Sequence, residues 1–207
     1  MDYFKVFIAL LALINPLGML PMFISLTHDF DAQQKQRAIR SAALTVVAVI
    51  IVCALLGEFI IKFFGISIAS LQVAGGLIIL LMSFSMINAQ TGGTKTTDEE
   101  RDEAEHKATI GVVPLGIPLL TGPGAMSTVI VMAHNATKPV DYLVLFGSGV
   151  LIAALVWFTF QMAEPIARTM GRTGINISTR IMGLLVAAIS VEFIVNGLTT
   201  LMPALGR

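Results

Sequence analysis

The chain has little of what soluble enzymes and nucleic-acid binders are built from. Charged residues fill 13% of its 207 positions, about half the share of an average soluble domain. Thirteen basic and thirteen acidic residues cancel to zero net charge, which leaves no basic surface for a nucleic-acid partner. The single cysteine, Cys53, excludes an intramolecular disulfide and sits in an apolar run as a small packed hydrophobe. His28, His106 and His134 are scattered, so no metal site is expected. No nucleophile–base–orienter set is visible, and no enzymatic activity or cofactor is expected. Thr121-Gly122-Pro123-Gly124 is not followed by Gly-Lys-Ser/Thr, so no ATP coupling by the chain itself is expected. One Trp and two Tyr are poor material for a broad aromatic drug cavity.

Apolar residues are abundant instead. They make up 56% of the chain, and the mean hydropathy is +0.86. Several runs exceed the roughly 20 residues that span about 30 Å of hydrocarbon. Six apolar segments are read, at 4–26, 41–64, 69–89, 110–134, 142–163 and 181–202. The expected class is an all-α membrane protein with a lipid bilayer as its solvent. Thr27–Arg40 is read as a polar connection, Arg168–Arg180 as a basic, Gly-containing turn, and 90–109 as an acidic linker. Segment one continues to Leu26 as a full span, with no cleavage site of a signal peptide. Lys and Arg set the orientation. Nine fall in the loops after segments one, three and five, and four on the other side. The richer loops are therefore expected in the cytoplasm and both termini in the periplasm.

A shift of 107 residues aligns the two halves without a gap. Pro16 falls on Pro123, Ser41 on Ser148, Gly76 on Gly183 and Ser83 on Ser190. The units are 1–89 and 110–207. Each holds three segments, an odd number, so the second enters the membrane from the opposite side. Inverted-topology repeats of this kind are a common architecture of secondary transporters. The symmetry is imperfect, because Pro114 and Pro118 have no proline partners.

The repeat pairs two helix breakers. Asn15-Pro16-Leu17-Gly18 interrupts segment one near the expected bilayer midplane, and Gly122-Pro123-Gly124-Ala125 interrupts segment four. Proline removes a backbone donor and frees the carbonyl one turn earlier. In hydrocarbon such a break is tolerated only against protein or a water-lined cavity. Gly18, Gly122 and Gly124 allow backbone to approach a ligand. New helix N-termini attract a carboxylate, and free carbonyls accept an ammonium. Two opposed breaks therefore suit a small zwitterionic substrate, with Asn15, Thr121, Ser127 and Thr128 as additional polar groups. The alternative is a pair of packing kinks. Glu192 lies near mid-depth of segment six, where an ionisable group is a functional candidate. It is a candidate for proton coupling, or else for a structural hydrogen bond. Glu58 and Glu164 lie nearer helix ends and are expected to reach water.

These motifs resemble a known family. Asn15-Pro16-Leu17-Gly18-Met19-Leu20-Pro21-Met22-Phe23, Gly111-Val112-Val113-Pro114-Leu115 with Pro118-Leu119, and Gly122-Pro123-Gly124-Ala125 are similar to signatures of the MarC family of bacterial and archaeal inner-membrane proteins. Thr173-Gly174-Ile175-Asn176, Thr179-Arg180-Ile181-Met182-Gly183 and Glu192-Phe193-Ile194-Val195 resemble its YchE-type branch. The resemblance implies a six-helix integral membrane protein. Some members, called SnatA, transport small neutral amino acids such as glycine and alanine. By motif, the resemblance carries substrate contact to Asn15, Pro16, Leu17, Gly18, Gly122, Pro123, Gly124 and Ala125; Thr121 and Ser127 join them as flanking polar groups. The expected function is secondary transport of a small neutral amino acid across the bacterial inner membrane, with proton coupling and export as candidates and a homo-oligomer allowed for. The alternatives are a drug-efflux protein, a passive channel and a membrane scaffold.

Overall fold

The structure, a computed structural model, describes residues 3–89 and 115–203. The acidic linker expected at 90–109, together with Gly111 and Pro114, lies outside them. All described elements are helical: α1 (Tyr3–Ile14), α2 (Leu20–Leu26), α3 (Ala32–Phe63), α4 (Ile68–Ile87), a wide helical turn at Leu115–Leu120, α5 (Pro123–His134), α6 (Pro139–Gln161) and α7 (Ala163–Leu201). Four of them, α3, α4, α6 and α7, are long and apolar enough to cross a membrane. The first and fourth apolar segments are each broken into two shorter pieces.

Two connections read as polar loops are partly helix. The α3 helix starts at Ala32, inside the stretch Thr27–Arg40. Asp31 accepts from the Gln34 N–H while Gln34 Oε1 accepts from the Asp31 N–H, a capping box that nucleates the helix before the apolar run begins. Replacing Asp31 with alanine should cost about 1 kcal/mol of stability, measurable as a lower melting temperature in detergent. The basic stretch Arg168–Arg180 is mostly helix, and the turn expected there is a sharp kink at one glycine, where two helices meet within α7. That glycine is Gly171, whose φ of 61° is left-handed; a glycine bears that backbone at little cost. Apolar runs mark the part of a helix that sits in lipid, so they miss helix that projects beyond it.

Exposure is inverted relative to a water-soluble protein. Leu44, Leu55, Phe59, Leu81, Leu143, Phe158 and Leu184 are each more than half exposed, as expected of faces turned to lipid. The interior holds two apolar clusters. One joins α1, α2, α3, the wide turn, α5, α6 and the first part of α7, and contains the stacked rings of Phe23 and Phe160, 4.4 Å apart. The other joins α1, α4, α5 and α7 through Ala12, Leu13, Ile79, Ala125, Val186 and Phe193.

Between apolar helices in lipid, close contact supplies the attraction. The α4–α7 pair achieves it with glycines. A Cβ added to Gly76 would lie 2.7 Å from Ile194 Cγ1 and 3.1 Å from the Ile194 nitrogen. One added to Gly183 would lie 3.0 Å from Ile87 Cγ1 and 3.0 Å from the Ile87 nitrogen. The 107-residue offset carries Gly76 onto Gly183 and Ile87 onto Ile194. The same offset relates two fully buried serines, each of which donates to a carbonyl three residues earlier: Ser83 to Leu80 and Ser190 to Ala187, both at 2.6 Å.

Ion pairs tie the two ends of α3 to other helices. Near its start Lys35 pairs with Glu164 of α7 at 2.7 Å. Near its end Glu58 pairs with His134 of α5 at 3.2 Å and with Lys62 at 2.6 Å. At the head of α6 the buried Asp141 carboxylate accepts from the Thr137 and Lys138 N–H groups, an acidic group at the positive end of the helix dipole.

Candidate functional site

The first break is built by Asn15 and Pro16. The Asn15 N–H makes a last helical bond to the Leu11 carbonyl at 2.9 Å. Pro16 then brings no N–H for the Ala12 carbonyl and ends α1. Asn15 itself takes φ = 45°, a left-handed backbone that asparagine adopts more readily than most residues. Its Oδ1 accepts from the Gly18 N–H at 3.3 Å. Met19 N–H returns to the Asn15 carbonyl at 3.2 Å, and α2 begins at Leu20. Asn15, Pro16 and Gly18 are buried and Leu17 is half-buried. This is a break enclosed by protein, as a non-helical backbone at membrane depth requires.

Around Gly18 the structure adds a residue that sequence reasoning passed over. Thr179 of α7 is 1% exposed, and a Cβ on Gly18 would lie 2.8 Å from its Oγ1. The same Cβ would overlap Asn15 Nδ2. Neither Asn15 Nδ2 nor Thr179 Oγ1 has a hydrogen-bonding partner among the described residues. Thr179 belongs to the other half of the chain, in the stretch read as a turn. The 107-residue offset places it opposite Gln72, so the internal alignment held no hint of a polar pair there.

The second break is constructed differently. Ile117, which precedes Pro118, is extended at φ −129°, ψ 125°, because a residue before proline is disfavoured in the helical region. Thr121 donates twice to the Gly116 carbonyl, from N–H at 3.0 Å and from Oγ1 at 2.6 Å. Gly122 caps α5 and Pro123 opens it, the helix position at which proline loses nothing. Ser127 and Thr128 both donate to the Gly124 carbonyl, at 3.0 and 2.8 Å. The hydroxyls of this break are thus spent on its own backbone. A Cβ on Gly124 would lie 3.0 Å from Ile79 Cγ1 and 3.0 Å from Met82 Sδ, so this glycine seats α5 against α4. Thr121, Gly122, Gly124, Ala125 and Ser127 are buried, whereas Pro123 is exposed. The two breaks approach through α1 and α5: Ala12 and Leu13, within a turn of Asn15, share an apolar cluster with Ala125.

Glu192 stands apart from both breaks. It is exposed and lines a cavity of about 620 Å³ with Lys5, Ala9, Asn135, Phe193 and Asn196. The cavity lies beside the start of α1 and the end of α5 and includes none of Asn15, Gly18 or Gly122. A smaller one, about 320 Å³, surrounds the Lys35–Glu164 pair at the start of α3. Among the described residues no three His, Cys, Asp or Glu side chains come together to hold a metal.

The chain matches the family described as MarC family integral membrane protein over residues 1–202. It is 41% identical over 204 residues to the UPF0056 membrane protein YhcE of Escherichia coli (strain K12), covering 98% of this chain and 94% of that one. It is 37% identical over 207 residues to the UPF0056 membrane protein BU267 of Buchnera aphidicola subsp. Acyrthosiphon pisum (strain APS), covering 98% and 94%. An archaeal relative, the UPF0056 membrane protein MJ1677 of Methanocaldococcus jannaschii, is 34% identical over 192 residues, covering 93% of each chain. No solved structure matches. Matched along nearly its whole length, with four apolar helices long enough to span a bilayer and two interrupted ones packed among them, the chain belongs to the MarC family of multi-pass integral membrane proteins.

Proposed function

We propose that the protein is a secondary transporter of a small neutral amino acid, of the size of glycine or alanine. The observation that carries this reading is the enclosed break at Asn15–Gly18. There a buried amide and a buried hydroxyl, brought together against Gly18, meet no partner among the described residues. A packing kink would satisfy its polar groups internally, as the second break does.

In this reading the chain has six spans, four continuous and two broken, arranged as inverted repeats 1–89 and 110–207. The reciprocal pairs Gly76–Ile194 and Gly183–Ile87 support that arrangement. The 620 Å³ cavity is a vestibule on the side of the chain termini, running along α1 towards its broken end. The Lys35–Glu164 pair closes the opposite face. Rocking one repeat against the other exposes the site to each side in turn. From the basic loops, the termini face the periplasm of a bacterial inner membrane. Glu192, in the vestibule and not at the break, takes up the coupling proton before the substrate site is reached.

Purified protein in liposomes tests the reading, with labelled glycine and alanine and an imposed pH gradient. Saturable uptake, competed by unlabelled substrate, is expected. A non-saturating flux would make the protein a channel, and the absence of flux from a folded preparation would leave a scaffold. Glu192→Gln should keep substrate exchange while losing the response to the pH gradient. An unchanged response removes Glu192 from coupling.

A further inference from the structure

We infer that Thr179 of α7 completes the substrate site from the opposite half of the chain. With Asn15 it forms a two-donor receptor for one carboxylate oxygen of the substrate. This rests on the transport reading above and names the group that the first break binds.

The donor roles follow from the hydrogen bonds already made. Only the oxygen of the Asn15 amide can accept from the Gly18 N–H, so Nδ2 is the free end, and it carries two protons and no lone pair to offer. Asn15 is therefore oriented by its own backbone as a donor. Most threonine hydroxyls of the described helices turn back to the backbone, and of those that do not, only Thr179 Oγ1 is fully buried without a partner among the described residues. Thr45, Thr128, Thr169, Thr199 and Thr200 each donate to a carbonyl four residues earlier. Thr179 Oγ1 makes no such bond, which leaves its proton for something else. Both atoms lie against Gly18: Asn15 Nδ2 fills the place a Cβ would take, and Thr179 Oγ1 lies 2.8 Å from it.

A buried donor without a partner is costly, and two at one point more so. An acceptor oxygen placed there satisfies both, and an anionic one does so best, since charge-assisted bonds are about twice as strong as neutral ones. Both atoms are closed off in this arrangement, so the oxygen enters only when the two halves of the chain move apart. An ammonium is unsuited to this place, because Asn15 Nδ2 presents only hydrogens. The carboxylate of a zwitterion is thus bound at the first break, and its ammonium lies elsewhere.

The test compares Thr179→Val, which removes the hydroxyl at nearly constant volume, with Thr179→Ser, which keeps it. Labelled glycine uptake into proteoliposomes gives KM and maximal rate. The melting temperature of the purified chain is read with and without glycine. Thr179→Val should raise KM about tenfold, the worth of one hydrogen bond to a charged group, and abolish the shift in melting temperature on adding glycine. Thr179→Ser should recover most of both. Glycinamide, which lacks the carboxylate, should compete weakly with glycine for the unmodified protein and lose little further in Thr179→Val. If Thr179→Val does not fold, Thr179→Ala carries the same comparison. A wild-type chain that transports glycine beside a Thr179→Val chain of unchanged KM overturns the inference and leaves the transport reading intact. The same holds if the ligand-free melting temperature falls while KM stays constant, which makes Thr179 a packing contact. No saturable uptake by the wild-type chain overturns the transport reading and the carboxylate receptor together.

Discussion

Replacing Gly18 with valine should abolish saturable glycine uptake while the protein still inserts and survives purification. The position is surrounded on the side where a side chain would emerge. A Cβ would overlap Asn15 Nδ2 and approach Thr179 Oγ1 to 2.8 Å. Asn15 is 3% exposed and held by its own bond to the Gly18 N–H, so it has no open direction in which to retreat. Overpacking of this kind costs about 1–3 kcal/mol, which a multi-pass protein can survive. Substrate binding cannot, because the valine side chain must push Asn15 Nδ2 and Thr179 Oγ1 out of place, and a displacement of about 1 Å at a binding site already costs on the order of a hundredfold in rate. Gly18→Ala should retain a small residual rate. Gly147 provides the control, since a Cβ there meets nothing within 4 Å; Gly147→Ala should transport normally. Normal uptake by Gly18→Val would remove the first break from the site.

The second large effect is expected on assembly, at the glycine pair between α4 and α7. Gly76→Val and Gly183→Val should each prevent recovery of a folded, monodisperse protein from detergent. At Gly76 the obstacle includes backbone, namely the Ile194 nitrogen and the Ser190 carbonyl, both at 3.1 Å. At Gly183 it is the Ile87 nitrogen and the Met86 Cβ, both at 3.0 Å. Backbone cannot rotate away, so the helices must separate, and in lipid little besides close packing holds them together. If the two halves are equivalent, the two substitutions should be equally damaging. A wide difference between them, measured as yield and melting temperature, would argue against the repeat. The smaller changes Gly76→Ala and Gly183→Ala should give a folded protein of reduced stability.

The sequence announced where the chain breaks but not what each break does. Pro16 and Pro123 are visible because proline has one backbone chemistry wherever it occurs, and both end or begin helices as that chemistry demands. The fate of Thr121, Ser127 and Thr128 was not visible. A hydroxyl in a helix can turn back to a carbonyl or outward to a ligand with little difference in local cost, and only packing decides. Here all three turn back. Thr179 was hidden for a second reason. Its importance lies in a contact with Gly18 across the whole length of the chain, and no periodicity or local motif encodes such a distance. The early start of α3 was legible in principle, since Asp31 and Gln34 stand at capping-box spacing. It was overlooked because hydropathy reports lipid contact and not helix.

One consequence concerns the membrane itself. The two ion pairs of α3 involve Lys35 and Glu58. At 1.5 Å per residue their separation along the helix is about 35 Å, slightly more than the roughly 30 Å of hydrocarbon in a typical bilayer. Charged groups resist entry into lipid, and Arg37 and Arg40 are exposed on α3 as well, so Arg40 and Glu58, about 27 Å apart at that rise, act as the fixed marks on a ruler, with only apolar side chains exposed between them from Leu44 to Leu56. The protein should therefore sense bilayer thickness. Thin membranes would leave the apolar band of α3 in water, and thick ones would draw the charged groups under, at a cost of fractions of a kcal/mol per ångström of mismatch. Across liposomes of increasing acyl-chain length, stability should pass through a maximum where the hydrocarbon fits between Arg40 and Glu58.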